Sequence, residues 1–220
     1  IFSKLAKEIT VAAKIGGGDP AGNPRLRTVL IAARGQNMPK DNVERAIKKG
    51  TGEIPGVGYE EIRYECYGAA GVAVIIDVLT DNKNRTVAEI RHAVTKNGGS
   101  MAENGAVSWN FERKGVISVS KTGRTDDEIF EKAVEAGAED VDTEGDMYEI
   151  TTEPSQLHAV TEALEAMGIK SENAELTMVP KTTIKVEGAN VGQVLRMMET
   201  LEDHDDVQNV YANFDISDEE

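Results

Sequence analysis

Val116–Val179, VISVSKTGRTDDEIFEKAVEAGAEDVDTEGDMYEITTEPSQLHAVTEALEAMGIKSENAELTMV, carries the pattern that decides the fold. Val116–Ser120 alternates apolar and polar residues, as a half-buried strand does. Asp126–Ala136 then switches to helical spacing and is predicted to bury Ile129, Phe130, Ala133 and Val134. A short strand near Asp140–Thr143, a strand Met147–Thr152, a helix Ser155–Met167 and a strand Ala174–Val179 complete the stretch. The order β-α-β-β-α-β is that of a ferredoxin-like sandwich.

The flanks repeat the pattern in two halves. Before the unit come a strand Val72–Thr80, a helix Arg85–Asn97 with Val87, Ile90 and Val94 on one side, and a strand Ala106–Glu112. After it come a strand Thr182–Val186, a helix Val191–Leu201 and a strand Val207–Phe214. Neither half closes a sandwich alone, whereas together they make a second β-α-β-β-α-β. The expected body is therefore one ferredoxin-like domain, 59–113 plus 180–220, interrupted by another at 114–179. Tyr59–Tyr67 would add an edge strand to the host.

Residues 1–54 read differently, as three short helices. Leu5, Ile9 and Ala12 form an apolar stripe that ends at Gly16-Gly17-Gly18-Asp19-Pro20. Asn23-Pro24 opens the second helix as N-cap and first helical residue, with Leu26, Val29, Leu30 and Ala33 facing inward. The third starts near Pro39, turns Val43, Ala46 and Ile47 inward, and stops at Gly50. Thr51–Gly58, rich in Gly and Pro, is a linker. The expected fold class is α+β, with an N-terminal three-helix domain and two ferredoxin-like domains, one inserted in the other.

Charge follows these modules. The head carries ten Lys and Arg against five acids, a net of +5, in a chain of net charge −15. The host's first half stands at −2, the insert at −11 and the tail at −7. A basic helical head on an acidic body is what a polyanion-facing module joined to a non-binding body looks like, although a solvated basic face gives the same count. Aromatic residues make up 5% of the chain, so the core must be aliphatic. A single Cys excludes an internal disulfide and a Cys-rich zinc site. No apolar run reaches the ~18 residues needed to cross a bilayer. The first residue is Ile1 rather than Met, so a preceding segment is expected.

Several long motifs are similar to those of the YebC family. They are Ser3–Ile9, Gly16–Pro20, Asn23–Arg27, Asn37–Gly50, Tyr64–Gly71, Leu79–Thr86, Gly98-Gly99, Lys114-Gly115 and Asp205–Gln208. The resemblance spans essentially the whole chain. It implies a cytoplasmic bacterial protein, or a mitochondrial matrix counterpart, with an all-α first domain and two α/β domains. It further implies a DNA-binding transcriptional regulator. The alternative is a ribosome- or ribosomal-RNA-binding translation factor that activates translation or relieves stalling at proline-rich stretches. Family members usually begin with a further segment rich in Lys, Arg and His. They also carry Tyr-Glu-Gly-Tyr-Gly-Pro-Gly-Gly where this chain has Tyr64-Glu65-Cys66-Tyr67-Gly68-Ala69-Ala70-Gly71. Loss of the Pro is expected to loosen that turn.

The candidate nucleic-acid contacts are Lys4, Lys7, Lys14, Arg25, Arg27, Lys40, Arg45, Lys48 and Lys49 on the head, with Lys83 and Arg85 in the host. Cations in this number neutralise phosphates and position a nucleic acid without reading its sequence. Asp81–Thr86 lies between a buried strand and a helix; capping accounts for one of its side chains, not for the pair Lys83 and Arg85. The tail acids Glu202, Asp203, Asp205 and Asp206 could hold a cation or a basic protein, or simply form a solvated helix end. An acidic scaffold that binds a basic protein through the insert is the competing reading. Gly16–Asp19 lacks the Lys-Ser/Thr of a nucleotide loop and reads as a turn. His92, His158 and His204 fall in three different elements, so neither a catalytic set nor a metal or cofactor site is expected.

Overall fold

Asn23 shows how one side chain sets the geometry of the helical head. In the computed structural model, which describes residues 1–216, its Oδ1 accepts the Leu26 N–H at 3.1 Å and caps the second helix. Its Nδ2 donates to the carbonyls of Ala12 and Gly17, both at 2.8 Å, satisfying groups at the end of the first. The three helices are α1 (Phe2–Gly16), α2 (Pro24–Gly35) and α3 (Lys40–Thr51). Ile9, Ala12, Leu26, Val29, Ala33, Met38 and Ala46 form their shared core, with Leu5, Leu30, Val43 and Ile47 half-buried around it.

α1 and α3 lie side by side and run the same way. Thr10 Oγ1 donates to the Ala46 carbonyl at 3.1 Å. A Cβ on Gly50 would lie 2.4 Å from the Thr10 carbonyl and 2.8 Å from Ala13 Cβ. An approach this close between two backbones requires glycine.

The chain packs into two compact units, Ile1–Ser108 with the segment from Thr183 onward, and Trp109–Thr182. In the first, the head is followed by β1 (Glu60–Tyr67), β2 (Ala73–Thr80), α4 (Lys83–Lys96) and β3 (Ser100–Ala102). The second unit contains β4 (Phe111–Ser120), α5 (Asp126–Ala136), β5 (Asp140–Asp142), β6 (Met147–Thr152), α6 (Leu157–Ala166) and β7 (Asn173–Pro180). The chain then returns to the first unit as β8 (Ile184–Val186), α7 (Ala189–Asp203), β9 (Val207–Ala212) and β10 (Phe214–Ile216). Residues 217–220 of the expected host lie outside the described residues.

The host sheet has the order β3-β1-β2-β9, with β1 antiparallel to both β2 and β3, and β9 antiparallel to β2. In space this is the ferredoxin-like order, but two strands differ from those the sequence suggests. β1, expected at an edge, fills an internal slot, and Ser100–Ala102 takes the edge slot assigned to Ala106–Glu112. The second difference has a physical cause. The N–H groups of Gly105, Val107 and Ser108 donate to the buried Glu65 carboxylate at 2.6, 2.9 and 2.6 Å, so they are withdrawn from any ladder. Burial alone would raise the Glu65 carboxyl; these backbone donors outweigh it and hold the group below its ordinary value. Residues 108–110 form a short 3-10 turn, and Phe111 already belongs to β4. β8 pairs in parallel with β10, apart from the four-stranded sheet.

β2 is buried on both faces, with Val74, Ile76 and Val78 alternating with Ile75 and Leu79. Ile90 and Val94 of α4 and Val194, Met197 and Leu201 of α7 pack with the first set. The turn before β2 holds Ala70 at φ +59, a left-handed conformation that suits the Gly of the family motif better than Ala.

The second unit keeps the expected ferredoxin-like order, β5-β6-β4-β7. β4 begins before Val116, because Phe111–Lys114 pair with Thr177–Pro180. Ile117, Val119, Ile129, Ala133, Tyr148, Ile150, Val160 and Leu164 make its core. Phe130 and Val134, expected inside, are exposed, since Ile129 and Ala133 take the inward face and the next residue along a helix turns about 100° away.

Gly50→Ala should force α1 and α3 apart and destabilise the protein by about 1–3 kcal/mol. The measurement is the thermal midpoint, expected to fall by several degrees; an unchanged midpoint would show that the two helices do not depend on this close approach.

Candidate nucleic-acid interface

Asp206 sits immediately before β9, where its carbonyl accepts the Leu79 N–H at 2.9 Å. That bond fixes its side chain at the end of β2, beside the start of α4. Three donors converge on the carboxylate. Lys7 Nζ of α1 lies 2.6 Å from Oδ1, while Arg85 Nη2 lies 3.0 Å and Thr86 Oγ1 2.8 Å from Oδ2. Asp206 is 3% exposed and Lys7 9%. Burial would raise the carboxyl, but the hydrogen bonds from Lys7, Thr86 and Arg85 prevail and lower it to about 2. Lys7 is held charged in turn: desolvation works against its ammonium, and the bonds to Asp206 and Asp205 more than offset it.

More of the head is drawn to the same place. Ser3 Oγ donates to Asp205, Lys7 Nζ also reaches Asp205 Oδ2 at 3.2 Å, and Lys4 Nζ donates to the Glu202 carbonyl. The tail acids thus do hold a cation, and it belongs to the same chain. Burial lowers the Lys4 ammonium despite the nearby Asp205. Arg25 of α2 pairs with Glu8 at 2.8 Å and with Glu61 of β1 at 2.5 Å. Arg85 adds a bond to Asp81 at 3.1 Å. Lys4, Lys7 and Arg25 therefore join the head to the host, while Arg85 is held within the host by Asp81 and Asp206.

The other predicted contacts face solvent. Lys14, Arg27, Lys40, Arg45, Lys48, Lys49 and Lys83 are all exposed. Arg27 Nη1 donates to the Pro20 carbonyl at 3.0 Å, and Lys40 lies 3.8 Å from Glu44. Because α1 and α3 run parallel, their C-terminal turns come together, with Lys14 in one and Lys48 and Lys49 in the other. Two helix C-termini there offer partial negative charge, so these lysines also complement the dipoles.

Asp81–Thr86 resolves residue by residue. Asn82 Oδ1 caps α4 by accepting the Arg85 N–H at 3.1 Å, and the Asn82 N–H donates to Thr80 Oγ1 at 2.9 Å. Thr86 and Arg85 bond to Asp206, while Lys83 and much of Arg85 remain exposed.

Glu89, His204 and Asp206 approach one another closely enough to suggest a cation site. The geometry argues otherwise. His204 Nδ1 accepts the Asp206 N–H at 3.1 Å, so Nε2 carries the proton toward Glu89 Oε2, 2.6 Å away. Both Asp206 oxygens are already bonded to positive groups. Cys66 is fully buried, and that burial pushes its thiol up to about 12, so no thiolate is on offer.

Residues 1–53 match the family model described as the TACO1/YebC protein N-terminal domain, and residues 59–214 match the TACO1/YebC second and third domain. The chain belongs to the TACO1/YebC family. A probable transcriptional regulatory protein of Geobacter sp. strain M21 is 57% identical over 220 residues, all of this chain and 89% of that one. A protein of the same description from Trichlorobacter lovleyi is 59% identical with the same coverage. The crystal structure of a conserved hypothetical protein from Aquifex aeolicus superposes with a TM-score of 0.85 at 46% identity, covering 99% of this chain and 90% of that one. The family resemblance and the α+β fold class read from the sequence both hold. Among the described residues, no helix is long and apolar enough to cross a membrane.

Residue type alone marks nine of the ten head cations, all but Arg34, as potential phosphate contacts and misses the role of Asp206. Lys7 lies about 160° around α1 from Ile9, off the stripe that faces the head core, and it bonds to Asp206 of the host instead, so no local pattern marks its partner.

The Asp206 carboxyl lies below its ordinary value of 3.8, so the stability it contributes is complete above about pH 4 and is lost as the pH falls toward 2. Asp206→Asn leaves Lys7 without its buried partner and should cost about 3–5 kcal/mol near neutral pH. Thermal midpoints measured against pH should show the gap between wild type and variant closing below pH 4. A constant gap would contradict the assignment.

Proposed function

We propose that this protein is a non-enzymatic regulator of gene expression that binds nucleic acid through the exposed cations of its helical head. The observation that carries the reading is the division of the head's charges. One set is neutralised inside the protein by Asp205, Asp206, Glu8 and Glu61, while Lys14, Arg27, Arg45, Lys48 and Lys49 are left on the surface. The insert and tail, at −11 and −7, are less hospitable to a polyanion than the basic head. The names of the relatives, probable transcriptional regulatory proteins, agree with this reading.

α3 also says which kind of docking to expect. Its exposed residues include Asp41 and Glu44 beside the four cations. Inserting such a helix into a major groove would bring carboxylates close to phosphates. Docking on the phosphate backbone avoids this and fits a folded RNA as well as a DNA duplex. A ribosomal RNA target, and with it a role in translation, is the second reading, and backbone docking is compatible with it.

Replacing Lys14 and Lys48 by Gln removes two surface charges from the meeting point of α1 and α3. The slope of log affinity against log salt should become shallower by about 0.9 for each phosphate no longer neutralised on duplex DNA, or about 0.7 on a single strand. Titrations of duplex DNA and structured RNA at several salt concentrations provide the measurement. Absence of salt-dependent binding to either would overturn the proposal.

A further inference from the structure

A cleft of about 280 Å³ opens between α1, α3 and the segment leading into β1, lined in part by the exposed cations Arg45 and Lys49. Phe2, Met38 and Tyr59 supply its apolar and aromatic wall; Asn42, Arg45 and Lys49 supply its polar side. The last three lie at i, i+3 and i+7 of α3, so they share one face of the helix. Arg45 and Lys49 are exposed, and Phe2 is 41% exposed, so the aromatic wall and the cations are open to solvent together.

Tyr59 does not stand loosely in this wall. Lys7 Nζ lies 5.9 Å from its ring centroid, and Lys7 is itself fixed by Asp205 and Asp206. The buried carboxylate therefore positions the aromatic residue as well as joining head to host. The volume lies just below the range of about 300 to 1,000 Å³ usual for drug-sized ligands and suits one planar group with part of a sugar.

We infer that this cleft receives a single unpaired nucleotide, its base against Tyr59 and Phe2 and its phosphate on Arg45 and Lys49. The inference rests on the nucleic-acid reading above and narrows it to strands that offer an unstacked base. Three features favour a nucleotide over other small ligands. Aromatic side chains offer a stacking surface that every base can use. A cation pair one helical turn apart matches a flanking phosphate. Asn42, on the same face of α3 one turn before Arg45, offers both a donor and an acceptor to a base edge. A base held within a duplex cannot enter, because both of its faces are already stacked.

The test compares a uridine homopolymer, the same strand with abasic sites, a thymidine homopolymer and a duplex of equal length, titrated against wild type, Tyr59→Leu and Tyr59→Phe. Wild type should bind the base-bearing strands roughly tenfold more tightly than the abasic one, the worth of a stacked base. Tyr59→Leu should erase that preference while keeping the affinity for the abasic strand and its salt slope; Tyr59→Phe should keep both. The uridine and thymidine arms distinguish RNA from DNA as the source of the nucleotide. Equal affinity of wild type for abasic and base-bearing strands, duplex bound as tightly as single strand, or a preference that survives in Tyr59→Leu, would each overturn the cleft. Those outcomes leave salt-dependent binding intact. Loss of all binding to every probe would overturn the cleft and the phosphate reading together. Melting curves of both variants establish that they fold, and Phe2→Ala supplies a second probe of the same wall should Tyr59→Leu not fold.

Discussion

The carboxylate of Asp206 is the point on which the first unit depends. A buried anion is costly unless it is paired and fully hydrogen-bonded, and here the partners come from two different modules. Lys7 arrives from α1 of the head, and Arg85 and Thr86 from the first turn of α4 in the host. The bond from Leu79 N–H to the Asp206 carbonyl makes the arrangement a property of sheet pairing rather than of a loose loop. Removing any one partner leaves a charge in a place that water scarcely reaches. The interaction also explains why the segment linking head and host needs no secondary structure of its own between Gly52 and Tyr59.

The same interaction sorts the basic residues. Lys7 of α1 and Arg25 at the start of α2 are bonded to acids of the protein, whereas Lys14 at the far end of α1 and Arg45, Lys48 and Lys49 on α3 are exposed. What remains on the surface is a smaller and more localised patch than the total charge suggests. Its position at two converging helix C-termini sets a competition. The dipoles favour Lys14, Lys48 and Lys49 staying where they are, and an approaching phosphate must offer more than the partial charge of two helix ends. A full charge held in hydrogen-bonding distance meets that requirement, whereas a distant field does not.

The inserted sandwich is legible in the sequence because each of its elements carries its own periodicity, and Ile129, Ala133, Tyr148, Ile150, Val160 and Leu164 point to one core. The host is legible in outline but not in its strand assignment. Val107 and Phe111 alternate like a strand, and both are buried, yet the N–H groups of Val107 and Ser108 are claimed by Glu65, an acid 42 and 43 residues away that no local pattern connects to them. Phe130 and Val134 mislead for a different reason: hydrophobicity marks a stripe wider than the face that packs. At the candidate interface, residue type finds the cations but cannot separate those with internal partners from those without. That division depends on pairs such as Lys7 with Asp206, 199 residues apart, which only the folded chain defines. Tyr59 is hidden because it reads as the first residue of a strand, while the structure places it before β1, against Lys7 and the cleft.

A double-mutant cycle between Lys7 and Asp206 tests the central claim most directly. Lys7→Met and Asp206→Leu are made singly and together, and the unfolding free energy of each is measured at neutral pH. The account predicts that the double variant loses clearly less stability than the two single losses combined, with a coupling of about 1–3 kcal/mol, because each single change strands the other's charge. Additive losses would contradict it, since they would mean that the two groups do not meet across the head and the host.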